Sequence, residues 1–413
     1  MNPTKSEYEL FEALCEIPVI DSHEHLVPEQ EYLSYAYSGL NMFAGYLFYD
    51  LGSAGLDPEF QATLRDPGYR SVDHWWPVIR KYWEHVEHSS YARALKIAVK
   101  ELYGIDQINT DTIFELAELI IADNTPGLYN RILRERCGIR RVVTQIKTVS
   151  FPNDPILAGL THYPVALHPG FHGLDYIGRI SEAAGGGLET LDDYAEALRK
   201  LMQQSVQEGS RGLKMVAGDY QIPDKAKAER ELRQYLASSD FTMESMALRS
   251  YLLEVCLDVV SEHDLAAVVH GGYWRDFREN DPKHLLGFAR RRTDVRFDLL
   301  HLGMPMIRDA LLIGKNLPNV SLNLAWCPII SFEQTVHAIN EMIDLVPMNK
   351  IIAFGGDYYM CVQKIYGHLT MARQAIAQVL SRRVSRGDFT KDQALSIARM
   401  WLYDNPGRIY RVN

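Results

Sequence analysis

The sequence predicts an α/β protein, a (β/α)8 barrel of the TIM type with a helical insertion after strand 1, built as one domain over residues 1–413. Three observations carry that prediction. Short β-branched runs alternate with stretches whose apolar residues recur at helical spacing, the form that repeated βα units and a parallel sheet take in sequence. The runs number eight, which closes a parallel barrel of this kind. The interval between the first and second run exceeds a hundred residues, too long for a plain βα loop.

In chain order, the first run is IPVIDSH (17–23). The long interval, about 30–135, includes WWPVIRKYWEHV and YARALKIAVKELYG, helical in spacing and rich in aromatics. Loops after the strands form the active-site face of such barrels. The insertion is therefore a lid or wall over the pocket, or an extra helical layer outside the barrel, and the sequence leaves both open. Trp75, Trp76 and Trp83 are expected in the core of that layer. The remaining strands are RRVVTQI (140–146), YPVALHP (163–169), RGLKMVA (211–217), LAAVVHG (265–271), RFDLLHL (296–302), NVSLNLAW (319–326) and KIIAFGGD (350–357). Between them lie helical segments such as DDYAEALRKLMQQSVQ (192–207) and MALRSYLLEVCLDVVSEH (246–263). Gly185–Gly187 lacks the G-x-G-x-x-G spacing after a strand and reads as a loop.

A net charge of −10 without any basic run gives no electrostatic footprint for nucleic acid or an anionic membrane, and points to a small-molecule substrate. The N-terminal MNPTKSEYELFEALCEIP reads as an acidic amphipathic helix and not a signal peptide. No apolar run approaches the ~18 residues of a membrane span. The five cysteines (Cys15, Cys137, Cys256, Cys327, Cys361) are scattered, with no C-x-x-C pair, which fits a reducing, cytoplasmic setting.

The chemistry gathers at strand ends. Alternation along the first strand puts His23 and His25 on one face, a short distance apart, as a metal clamp would need. His270 ends the fifth strand, His301 the sixth and Asp357 the eighth. A barrel brings such ends to one rim, so residues more than three hundred apart in sequence are expected around one cavity. Imidazole nitrogens with a carboxylate suit zinc, with manganese or another divalent metal as an alternative.

With H-x-H on strand one, histidines on strands five and six, and Asp in a G-G-D segment on strand eight, the chain resembles the amidohydrolase superfamily over nearly its whole length. It is most similar to the amidohydrolase-2 branch. The stretches RGLKMVAGDY, VVHGGYWRDFRENDP, LLHLGMP and FGGDYY resemble the FluG-type amidohydrolase domain, with uronate isomerases as more distant relatives. The resemblance implies that His23, His25, His270 and Asp357 hold a divalent metal. It implies that Asp357 also takes a proton from an activated water, while His301 faces the substrate or a second metal. Lys214, on strand four, stands where part of the superfamily has a carboxylated lysine bridging two metals. A plain ammonium that binds a substrate carboxylate, or a stem packed at the barrel mouth, are equally open readings.

Position makes Trp274, Arg275, Trp326 and Tyr358 candidate substrate contacts. Arg278 offers a second planar fork for a carboxylate, and His168 and His172 lie on the loop after the third expected strand. The leading expectation is hydrolysis of an amide, lactone or ester bond in a small carboxylate-bearing molecule. Non-oxidative decarboxylation and uronate-type isomerisation on the same metal site are alternatives. The complete set of ligands argues against a non-catalytic binding barrel. A homo-oligomer is expected only by analogy with other such barrels.

Overall fold

The computed structural model describes residues 4–35, 39–63, 71–145, 154–161, 176–238, 246–274 and 276–412. The chain divides into two compact units. The first comprises Met1–Thr144, Ala325–Glu341 and Ala353–Asp404; the second comprises Gln145–Leu324, Met342–Ile352 and Asn405–Asn413.

In the first unit, strand β1 (Val19–Glu24) pairs in parallel with β2 (Ile139–Thr144), matching Val19 to Ile139 and Glu24 to Thr144. Every residue of β1 is buried, including its polar end. Between these strands the described chain is helical, with longest helices Val72–Val86, Ser90–Tyr103 and Ile113–Asp123. Ser89 caps the second of these by accepting from the Ala92 N–H, and Gly104 ends it in the left-handed conformation that a C-terminal cap requires. Trp75, Trp76 and Trp83 are buried around Phe43, with ring centroids 5.7, 6.1 and 5.5 Å from it. Their indole nitrogens need acceptors once buried. Trp83 donates to the Ile108 carbonyl at 3.2 Å and Trp76 to the Thr110 hydroxyl at 3.2 Å.

In the second unit, β4 (Gly212–Val216), β5 (Ala266–His270), β6 (Arg296–Leu300), β7 (Val320–Asn323) and β8 (Ile351–Ile352) pair in parallel in sequence order. Helices Leu191–Gln207 and Met246–Glu262 precede β4 and β5. The first opens with a capping box in which Thr190 and Asp193 satisfy each other's main-chain N–H groups. β4 and β5 are buried throughout, as strands covered on both faces must be.

One strand assignment needs correction, the length of β8, and a further short strand precedes β4. The third strand, β3, is Leu157–Gly159 and runs beside β4, with Arg211 N–H donating to Gly159 and Thr161 N–H to Gly212, each at 2.9 Å. Asp154 starts it by accepting from the N–H groups of Ile156 and Leu157. The expected segment 163–169 lies outside the described residues. β8 is only two residues long because the N–H groups of 353 and 356–358 leave the ladder. Ala353 donates to the Trp401 carbonyl, and the following residues turn to partners around β1.

Candidate functional site

His23, the penultimate residue of β1, has a side chain 1% exposed, and His25 follows just past the strand at 32%. Their rings meet edge to face with centroids 5.1 Å apart. The segment after β8 is laced to this end of β1, with Asp357 N–H donating to the His23 carbonyl (2.8 Å) and His25 N–H to the Tyr358 carbonyl (3.0 Å). That pairing places Asp357 Oδ1 3.3 Å from His23 Nε2 and 3.1 Å from His25 Nε2. Two imidazole nitrogens and a carboxylate oxygen thus converge at a nearly buried point. The donor set fits a divalent cation.

Asp357 has φ of +61°, a left-handed conformation that costs a non-glycine residue on the order of 1 kcal/mol or more and persists only where its surroundings enforce it. Here they do. On one side, Gly356 N–H donates to Asp21 Oδ1 at 3.1 Å; on the other, Tyr358 N–H donates to Glu24 Oε2. An added Cβ at Gly356 would run into the Glu24 carboxyl group, so only glycine permits this approach. The Asp21 and Glu24 carboxyls are buried together, and their interaction favours a proton on Glu24. Burial raises Asp21 to about 7, against the pull of its hydrogen bonds. Burial first, then the Asp21 charge, pushes Glu24 well above the carboxylate range.

Tyr46, from the helical insertion, donates its hydroxyl to the main-chain oxygen of Asp357. Its ring lies 4.5 Å from that of Trp326 and 5.9 Å from that of Tyr358. Trp326, at φ +69°, donates its N–H to the Gly355 carbonyl. Trp326 and Tyr358, expected as substrate contacts, are 2% and 4% exposed, and Tyr358 packs edge-on against His368.

In the second unit, His270 closes β5 opposite Leu300 of β6, and His301 follows in a left-handed turn with Leu302 (φ +62° and +49°). The turn swings His301 Nε2 to 3.1 Å from His270 Nδ1, so one ring donates and the other accepts. His270 therefore meets any further partner through Nε2. The Trp274 ring is 5.4 Å from His270. The loop after β5 is closed by Gly272 N–H donating to the Asn280 carbonyl (2.7 Å) and joined to the loop after β6 by Tyr273 N–H donating to the Met304 carbonyl (2.5 Å).

Lys214 sits two residues before the level of His270, in a layer with Val268, Asp298 and Ser321. It is 4% exposed and lowers the pKa of Asp298, which burial nonetheless raises to about 6. Asp298 also accepts from Asn323 Nδ2 at 2.8 Å and from the Tyr410 hydroxyl. Arg278 pairs with Asp276 at 2.8 Å on the surface. Arg275, His168 and His172 lie outside the described residues.

The structure thus gathers His23, His25 and Asp357 in the first unit, and His270, His301 and Trp274 in the second. Sequence reasoning missed Asp21, Glu24 and Tyr46. Asp21 and Glu24 carried a signal, two acids flanking H-x-H inside a buried strand; Tyr46 carried none.

The family model described as amidohydrolase matches residues 185–412, more than half of the chain. Protein fluG of Emericella nidulans is 25% identical over 210 residues, which is 47% of this chain and 24% of that protein; the match spans about a quarter of that relative's length. Uronate isomerase from Thermotoga maritima superposes with a TM-score of 0.81 at 15% identity, covering 98% of this chain and 97% of its own. Glucuronate isomerase from Caulobacter crescentus gives 0.78 at 14%, covering 99% and 94%. A Lactobacillus casei protein assigned as a metal-dependent hydrolase gives 0.68 at 15%, covering 97% of each. At such identities the likeness shows the fold, and the chain has the (β/α)8 fold class that its strand order predicts.

Proposed function

The chain belongs to the amidohydrolase family, and from that premise we propose that it is a divalent-metal-dependent hydrolase of an amide, lactone or ester bond in a small carboxylate-bearing molecule. The observation that carries the reading is the approach of His23 Nε2 and His25 Nε2 to one oxygen of Asp357, at 3.3 and 3.1 Å. Zinc suits these donors best. When bound, the cation supplies Lewis acidity, polarising a carbonyl and drawing the pKa of a water toward neutrality.

The rest is the work of the chain's own groups. Asp357, fixed by the hydrogen bonds of Gly356 and Tyr358, accepts the proton of the attacking water as general base. The amidohydrolase pattern gives His270 a ligand's role and His301 that of a proton donor or oxyanion partner, and the proposal retains both. Lys214 acts as an ammonium, because a carboxylated side chain would set a second negative charge beside buried Asp298. Trp274 and Arg275 are proposed to contact the substrate, with Trp326 and Tyr358 supporting Asp357 from behind. Five free thiols support a reducing, cytoplasmic setting for this chemistry.

A second reading, isomerisation of a sugar acid, draws on the end-to-end match to uronate isomerases. The test is a metal-replete screen against lactones, N-acyl and γ-glutamyl amides, aromatic carboxylic acids and uronic acids, with Asp357→Asn as the blank. Hydrolysis that falls at least ~10²-fold in the blank supports the leading reading. Isomerisation or carbon dioxide release alone overturns it. His23→Ala and His25→Ala are expected to lose bound metal along with activity, and normal metal content in either would remove that residue from the ligand set.

A further inference from the structure

The second unit carries a cavity at the ends of its strands remote from His270 and His301. About 410 Å3 in volume, it opens where β6, β7 and β8 begin, between Arg296, Lys315, Ser321, Lys350 and Arg408. Every charged residue in its lining is basic, in a chain whose net charge is −10. We propose that this cavity binds a small dianion, a phosphate or the phosphate group of a monoester.

The four cations lack matching carboxylates. Arg296 Nη1 is paired with Asp264 at 2.8 Å, but Asp264 also takes Arg411, so one carboxylate serves two guanidiniums. Lys350 donates to the carbonyls of Leu317 (2.5 Å) and Gly314, and Arg408 to that of Asn349 (2.6 Å). Among the described residues, neither these two nor Lys315 pairs with a carboxylate. Lys350 is 8% exposed, and burial lowers it to about 8. Carbonyl dipoles offset only part of what an ammonium loses on leaving water, and a bound anion would supply the rest.

The cavity suits the ligand in size and in uncharged donors. Its volume falls within the ~300–1,000 Å3 range of small-molecule sites, and the Ser321 hydroxyl adds a neutral donor to the lining. Oxyanions with two charges gain most from several converging cations, each charge-assisted hydrogen bond being about twice as strong as a neutral one. Chloride, with one charge and no geometry, gains least.

The test is a calorimetric titration of the metal-loaded full chain with inorganic phosphate and, separately, glycerol 3-phosphate, ionic strength being held constant with chloride. The comparison is the double variant Lys315→Glu with Arg408→Glu. Both residues are exposed, so the fold tolerates them, and the thermal midpoint in chloride is expected to be unchanged. Wild type is expected to show saturable one-site binding that weakens at least tenfold in the double variant and survives in His23→Ala. The ratio of the two affinities identifies an inorganic or an esterified occupant. No heat beyond the chloride control, equal binding in the double variant, or binding lost only in His23→Ala would each overturn the proposal.

Discussion

Asp357 shows how one residue's chemistry rests on atoms far away in sequence. Its left-handed backbone is stabilised because Asp21 and Glu24 hold the N–H groups on either side of it, and burial beside the Asp21 charge favours a proton on Glu24. A neutral amide can do what protonated Glu24 does, accepting from Tyr358 and donating toward Asp21. Glu24→Gln is therefore expected to stay within about 1 kcal/mol of wild type, whereas Glu24→Ala leaves a hole and an orphaned N–H and loses about 2–4 kcal/mol. Urea unfolding midpoints distinguish the two; equal losses would mean that Glu24 is held as a carboxylate. The sequence showed His23, His25 and Asp357 because each is a ligand type at or just past the end of an expected strand. It did not show the clamp, because nothing local pairs Glu24 with Tyr358, 334 residues away.

At the scale of elements, the His270–His301 pair depends on the turns after β5 and β6 more than on the strands. Gly272, at φ +86°, lies against the Gly303–Met304 backbone, where an added Cβ would meet the Met304 carbonyl. Gly272→Ala is expected to cost about 2 kcal/mol or more, since both the conformation and the space forbid a side chain. Turnover should fall with it, because the displaced loop begins two residues after His270. A variant with wild-type melting temperature and activity would show that the two loops do not fix the pair. The alternation of strands and helices was legible in the sequence because burial imposes periods of 2 and 3.6. The place of β3 and the shortness of β8 were not, since both turn on which N–H groups find ladder partners.

Over the whole molecule, the clearest pH dependence comes from Asp298, buried at the level of Lys214. Its folded pKa of about 6 lies above the unfolded value of 3.8, so the protonated form is favoured on folding. The stability it contributes is fully present below pH 3.8 and is lost as the pH rises through 6, a change of roughly 3 kcal/mol at ~1.36 kcal/mol per unit. Wild type is thus expected to lose stability between pH 4 and 7 relative to Asp298→Asn, which cannot titrate there. Denaturation curves at pH 4, 5, 6 and 7 measure the difference, and parallel profiles would show that the buried acid keeps an ordinary pKa.

The sequence by itself determined the succession of β and α segments, the long helical stretch after β1 and the metal-binding residue types at strand ends, because these follow from local spacing. Only the tertiary structure decided that Tyr46 reaches Asp357 across 311 residues, that Trp326 and Tyr358 are buried behind it, and that Lys214 shares a layer with Asp298. Such contacts join side chains from separate elements, and their geometry is set by strand register and by left-handed turns at Trp326, His301 and Asp357. No periodicity along the chain encodes either, because each depends on the partner against which the segment finally packs.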